Sequence, residues 1–311
     1  MKNSLSVLGQ ILLVGFILVI NSCSDDSTSV SNADLLFTET TTGSGFFEYS
    51  DYTSFNGKVL RVYYHIPSNT NSNTEILFVF HGNGRNAKDY RDAMILKANQ
   101  YNFIVIAPEF SVANFLGGDA YNLGNVFIDG DNPSSSTLNP EAEWTFSVIE
   151  PLFDFVKLNL NNTVSNYHVF GHSAGGQFAH RFLMYKPTAR YQKVVASASG
   201  WYTASDLEVV FPYGFVQSPL EIVSLSNLFS KQLIIQIGSL DNNPSASGLR
   251  HNQFADAQGL HRLERANYFY NKANTLAISN NLDLQWQLHI NDGADHNYEI
   301  ASQNAADLIF N

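Results

Sequence analysis

A single cysteine, Cys23, occurs in 311 residues. Disulfides within the chain are therefore impossible. Because this thiol follows a leader-like segment, thiol catalysis and cysteine-ligated metal are excluded from the rest of the chain. Basic residues are scarce too: 17 Lys and Arg face 28 Asp and Glu, a net charge of −11. So acidic a chain repels nucleic acid, and no basic stripe argues otherwise. A strongly anionic substrate is disfavoured unless a local cluster of cations overrules the average. No apolar run reaches the roughly 20 residues that a membrane span needs. The run from Leu8 to Ile20, with Lys2 ahead of it, fits the apolar part of an export signal. A G-x-G-x-x-G, a P-loop, an H-E-x-x-H and any His/Cys cluster are all missing, so no cofactor and no metal is expected. "DGDNPSSS" (129–136) spaces two aspartates like a calcium loop, but Pro133 and Ser134 replace the third ligand and the turn glycine.

Aromatic residues, by contrast, are plentiful: 23 Phe and 15 Tyr can furnish a sizeable core. The length suits one large domain after the leader. Apolar stretches at 57–67, 76–82, 103–108, 167–170, 193–199, 232–241 and 282–290 read as strands. Helical patterns at 86–101, 141–160, 175–185, 256–280 and 297–310 lie between or after them, with a kink expected at Pro151. Residues 109–140 are irregular. Strands alternating with helices, several apolar on both faces, imply an α/β fold with a mostly parallel sheet covered on both sides.

In such sheets ligands bind beyond the carboxyl ends of the strands. Gly171-His172-Ser173-Ala174-Gly175 follows the strand "YHVF" and opens a helix, which matches G-x-S-x-G. The pattern puts one serine on a sharp turn with its hydroxyl above the sheet. His81-Gly82-Asn83-Gly84 follows another strand. Its backbone N–H at Asn83, or at Gly84, and that of Ala174 are candidate donors to a developing oxyanion. A serine needs a base, and the base needs an orienting carboxylate. Asp241 lies just beyond the strand "IIQIG", and His296 follows the last strand, giving the chain order Ser, Asp, His. His289 is the rival base, and Asp206 and Asp256 are rival acids. His172, His81, His180, His251 and His261 read as packing or locally bonded residues.

These motifs together resemble the α/β-hydrolase superfamily, from about residue 45 to the end. "HGNGRNAKDYRD", "YNLGNV", "GHSAGGQFAHRF", "SGWYT" and "ADAQGLHRLERA" are similar to bacterial polyhydroxybutyrate-depolymerase-like and esterase-like hydrolases. The disulfides and appended substrate-binding domain of many secreted polyester depolymerases are missing. The resemblance implies Ser173 as nucleophile, His296 as base and Asp241 as acid in a hydrolase of carboxylic esters. A peptidase on the same scaffold and a non-catalytic surface-binding lipoprotein remain alternatives. Trp201, Tyr202, Phe115 and Tyr121 follow strand ends and are candidates to line a pocket for a small, neutral, partly apolar ester. Ile20-Asn21-Ser22-Cys23 resembles a bacterial lipoprotein cleavage box, and the Ser-Asp-Asp after it resembles a surface-export signal. The expected organisation is a signal peptide over 1–22, a lipid on Cys23, a flexible tether over 23–45 and a hydrolase domain over 46–311. It implies an exported lipoprotein anchored at the outer membrane or cell surface.

Overall fold

The computed structural model describes residues 37–311. Cys23, the leader and most of the expected tether lie outside the described residues. Eight strands form one sheet: β1 (Gly43–Tyr49), β2 (Leu60–Ile66), β3 (Ile76–Phe80), β4 (Ile104–Glu109), β5 (Tyr167–His172), β6 (Tyr191–Ser197), β7 (Gln232–Gly238) and β8 (Gln287–Asn291). Their order across the sheet is β1-β2-β4-β3-β5-β6-β7-β8. β2 runs antiparallel to both β1 and β4, and every other pairing is parallel.

The helices are α1 (Ala87–Tyr101), α2 (Ile149–Asn159), α3 (Ala174–Tyr185), α4 (Leu225–Phe229), α5 (Gln253–Ala257), α6 (Arg262–Ser279) and α7 (Tyr298–Phe310). The strand alternation decides which helices cover which face. In β3, Ile76, Phe78 and Phe80 join the core beneath α2, α3 and α6, while Leu77 and Val79 join the one beneath α1 and α7. β7 divides likewise, with Leu233, Ile235 and Ile237 on the first side and Ile234 on the second. A strand buried on both faces cannot show polar alternation, which is why these segments read as unbroken apolar runs.

Three sequence expectations need correction. β1 starts at Gly43, inside the expected tether, and Phe37 is buried against Phe47 with ring centroids 4.4 Å apart. The folded domain therefore begins ahead of residue 46. The expected helix 141–160 is two 3-10 turns, Glu141–Glu143 and Thr145–Val148, followed by α2. Pro151 falls in the first turn of α2, where its missing N–H would have no intrahelical acceptor, so it kinks nothing. The expected helix 256–280 is α5 and α6, separated at residues 258–261. Among the described residues, no helix is long and apolar enough to cross a membrane.

Candidate active site

Ser173 lies between the end of β5 and the first turn of α3 with φ 59° and ψ −117°, a backbone conformation that L-residues rarely adopt. Close packing holds it there. A Cβ on Gly175 would come 2.0 Å from the Phe80 carbonyl oxygen, and one on Gly171 would come 2.1 Å from the Gly175 oxygen. Only glycine lets α3 start directly above β3 and β5. The Ser173 N–H donates to the Ser197 carbonyl at 2.9 Å, which ties the turn to β6. The first N–H groups of α3, Ala174 among them, have no intrahelical acceptor.

Asp241 and His296 reach this serine from two loops that are joined to each other. Leu240 N donates to the Ala294 carbonyl at 2.8 Å and Ser239 N to the Asn291 carbonyl at 3.0 Å. Asn297 caps α7 through Glu299 N and Ile300 N, which fixes the chain just after His296. The result is a chain of contacts. His296 Nε2 lies 3.2 Å from Ser173 Oγ, and His296 Nδ1 lies 2.7 Å from Asp241 Oδ2. Asp241 is buried, and its other oxygen accepts from Arg262 Nη1 at 3.2 Å. Arg262 opens α6, and the next N–H, Leu263, donates to the Asp241 carbonyl at 3.1 Å.

Three buried histidines support this site from below. Phe110 N donates to His81 Nε2 at 3.0 Å, so the His81 proton sits on Nδ1, 2.9 Å from the Gly82 carbonyl. That arrangement requires a neutral ring, and burial drives His81 down to about 3. Tyr121 donates its hydroxyl to the His81 carbonyl at 2.6 Å, so the turn carrying Asn83 is fixed at both ends. His180 repeats the device: it accepts from Thr203 N at 3.1 Å and pairs through Nδ1 with the Gly176 carbonyl at 2.9 Å. His172 contacts the Tyr90 hydroxyl at 3.0 Å, and its ring centroid lies 4.6 Å from that of His296. Burial holds both His180 and His172 well below the ordinary histidine value; His296 and Arg262 push His172 further in the same direction.

A cavity of about 270 Å³ opens over Ser173. Asn83 and Ala174 border it beside Ser173, with Trp201, Gln177, Arg250 and Arg262 also in its lining. No protein-family model and no curated protein sequence matches the chain. Among solved structures, poly(aspartic acid) hydrolase-1 from Sphingomonas sp. KT-1 is 37% identical, with a TM-score of 0.81 over 87% of this chain and 100% of that one. The chain belongs to the α/β-hydrolase superfamily. A poly(3-hydroxybutyrate) depolymerase from Bordetella parapertussis is 28% identical, with a TM-score of 0.79 over 87% of this chain and 90% of that one. An S-formylglutathione hydrolase from Agrobacterium tumefaciens shares the fold at 16% identity and a TM-score of 0.53, over 87% of this chain and 95% of that one.

In this α/β-hydrolase, the four aromatic residues expected to line the pocket part company. Trp201 borders the cavity. Tyr202 is fully buried and stacks on Phe269 at 4.4 Å, behind the wall. Tyr121 lies beneath the turn that carries Asn83, stacked on His81 at 4.5 Å. Phe115 packs edge-on against Phe110 and Phe55 in the core. Aromatic rings following a strand end were drawn under the long loops because burying them removes more apolar surface than lining an open cavity does. The rival acids are engaged elsewhere. Asp206 accepts from Lys272 at 2.5 Å, and Asp256 meets His251 at 2.7 Å and Arg265 at 3.1 Å. His289 lies inside β8, paired in register with Gln236. Among the described residues, no group of His, Cys, Asp and Glu could hold a metal.

Sequence reasoning missed Gln177, Asn122, Arg250 and Arg262. With its oxygen turned toward Trp201, the Gln177 amide accepts from both N–H groups of that residue at 3.2 Å. Arg250 forms a two-pronged ion pair with Asp131, 2.6 and 3.1 Å, and lies over the Trp201 ring at 5.0 Å. Arg262 lay inside the expected helix 256–280 and the motif "ADAQGLHRLERA", but nothing local set it apart from a solvated arginine.

Proposed function

We propose that the chain is a serine hydrolase that cleaves carboxylic esters through an acyl-enzyme. The observation that carries this reading is the continuous contact from Ser173 Oγ through His296 to a buried Asp241, with the serine on a strained elbow. Ser173 Oγ attacks the ester carbonyl while its proton passes to His296 Nε2. The Asn83 and Ala174 N–H groups receive the oxyanion. Asp241 holds the imidazole in the tautomer that accepts this proton and stabilises the imidazolium that results. Collapse of the tetrahedral intermediate expels the alcohol, which takes the proton from His296. Water then repeats the sequence on the acyl-Ser173 ester and releases the acid. A fluorophosphonate should label Ser173, and Ser173→Ala and His296→Ala should each lose at least about 10⁴ in kcat on p-nitrophenyl acetate, without additivity. An adduct on another serine overturns the assignment.

Amide cleavage is the second reading. It is favoured by the 37% identity to a protein named poly(aspartic acid) hydrolase and by a cavity walled with charged and amide side chains. Parallel assays of p-nitrophenyl esters and aminoacyl anilides separate the two. We further propose export and lipid attachment at Cys23, motivated by the apolar leader that ends there. In a host that processes lipoproteins, Cys23→Ala should move the protein from the membrane to the soluble fraction. Identical fractionation of the two forms overturns the anchor.

A further inference from the structure

Arg262 has no carboxylate of its own. It is 5% exposed, its Nη1 reaches Asp241, its Nε is buried with no partner, and its Nη2 has no acceptor among the described residues. Of the other cations nearby, Arg250 borders the cavity and is paired, whereas Arg181, whose Nη2 is also buried without a partner, does not line it. Arg250 is held by Asp131 and by the Tyr213 hydroxyl, and Arg181, stacked beneath Trp201 at 4.3 Å, donates to Thr203 and to the Asn122 and Gln177 carbonyls. Asp241 therefore serves Arg262 and His296 at once. When His296 takes the serine proton, two positive groups flank one carboxylate, and the cluster carries one uncompensated positive charge. A buried guanidinium with free N–H groups is costly unless an anion meets it. Asp119, also on the cavity wall, accepts from the Gly130 N–H at 2.9 Å and makes no ion pair with Arg262.

Building on the ester-hydrolase reading, we propose that Arg262 is the specificity-determining residue of this cavity and reads a carboxylate on the substrate's leaving group, so that the preferred substrates are esters of hydroxy acids whose own carboxylate is free. The side is set by the chemistry. His296 must protonate the departing oxygen, so the leaving group lies on the His296 side, where Asp241 holds Arg262. A planar guanidinium matches a carboxylate in shape and charge, and the substrate's negative charge balances the imidazolium as it forms. This overrides the expectation of a neutral substrate drawn from the net charge of −11. An average over the whole surface says nothing about one sequestered arginine.

The test compares 3-acetoxybutyrate with 3-acetoxybutyramide, which differ in charge and hardly in shape, by acetate release. The wild type should prefer the carboxylate by at least about tenfold in kcat/KM, the scale of one charge-assisted hydrogen bond. The preference should shrink in 1 M NaCl, where screening is strong. Arg262→Gln slows both substrates because Asp241 loses a partner, so the ratio is the readout: it should fall to about one, while Arg262→Lys keeps a severalfold preference. If Arg262→Gln does not fold, the wild-type ratio and its salt dependence still decide. Hydrolysis of p-nitrophenyl acetate without a preference for the carboxylate overturns this proposal and leaves the ester-hydrolase reading standing. Loss of the preference in Arg250→Gln rather than in Arg262→Gln also overturns it. Failure to hydrolyse any of the three esters overturns the ester-hydrolase reading itself.

Discussion

The Ser173 side of the cavity and the wall opposite it are built on different principles. At Ser173 itself the turn is held backbone against backbone: α3 starts where glycines let it touch β3 and β5, and a 2.9 Å main-chain bond pins the turn to β6. The opposite wall, from residues 117–131 and 200–262, is held by side chains instead. Arg250 reaches Asp131, 119 residues away, Gln258 bonds both backbone groups of Tyr202, and Lys272 grips Asp206. The first construction is close main-chain packing between neighbouring strands and one helix. The second is assembled from side chains of distant segments, and its pocket can change with one or two substitutions while Ser173 stays where it is. That is the physical form of a scaffold that hosts many substrates.

Three experiments break or sharpen this contrast. The largest effect is expected at the junction between the two regions. Asp241→Asn should lose about 10²–10⁴ in kcat on a short p-nitrophenyl ester while circular dichroism stays native, because the amide favours the wrong imidazole tautomer. Asp206→Asn and Asp256→Asn, whose carboxylates serve Lys272 and Arg265, should lose far less activity. A near-normal Asp241→Asn would mean that the acid comes from elsewhere. Next come the glycines. Gly175→Ala forces a methyl group onto the Phe80 carbonyl and should cost about 3 kcal/mol or more in urea unfolding. Gly248→Ala on the cavity wall meets nothing within 4 Å but sits at φ 74°, and should cost only about 1–2 kcal/mol. Equal losses would erase the distinction.

A pH dependence is shared by both regions. His81, His172 and His180 are held neutral when folded, and each protonates near 6.5 once unfolded. Below pH 6.5 the unfolded chain binds more protons, so stability falls as pH drops from there toward the folded value, about 3 for His81. Each histidine should contribute a slope of about 1.4 kcal/mol per pH unit in that window. Urea unfolding at pH 7, 6 and 5 measures it, and a flat profile would mean that these rings are solvated in the native state.

The alternation of apolar strands with helices, the elbow around Ser173 and the chain order of Ser173, Asp241 and His296 were legible because each is local. A strand buried on both faces has to be apolar throughout, and an elbow needs its glycines within a few residues. The sequence was less legible where burial competes with exposure. Trp201 and Tyr202 are neighbours in one loop, yet one borders the cavity and the other stacks on Phe269. β1 escaped notice because an edge strand alternates weakly and opens with Gly43-Ser44-Gly45, residues that look like linker. His81 and His180 read from the sequence as packing or locally bonded residues, and only the fold supplies the donors, Phe110 N and Thr203 N, that make them neutral staples.

By itself the sequence determined which residues could do chemistry and in what order they follow the strands, because periodicity and turn glycines act over a few residues. Tertiary structure alone decided what surrounds them. Arg262 stands 21 residues beyond Asp241, at the start of a helix indistinguishable by pattern from a solvated one. Its place beside the candidate acid arises only when α6 docks on the loop after β7. Charge composition sums over the whole chain, whereas the potential in a cavity of about 270 Å³ is set by the few groups folded into it.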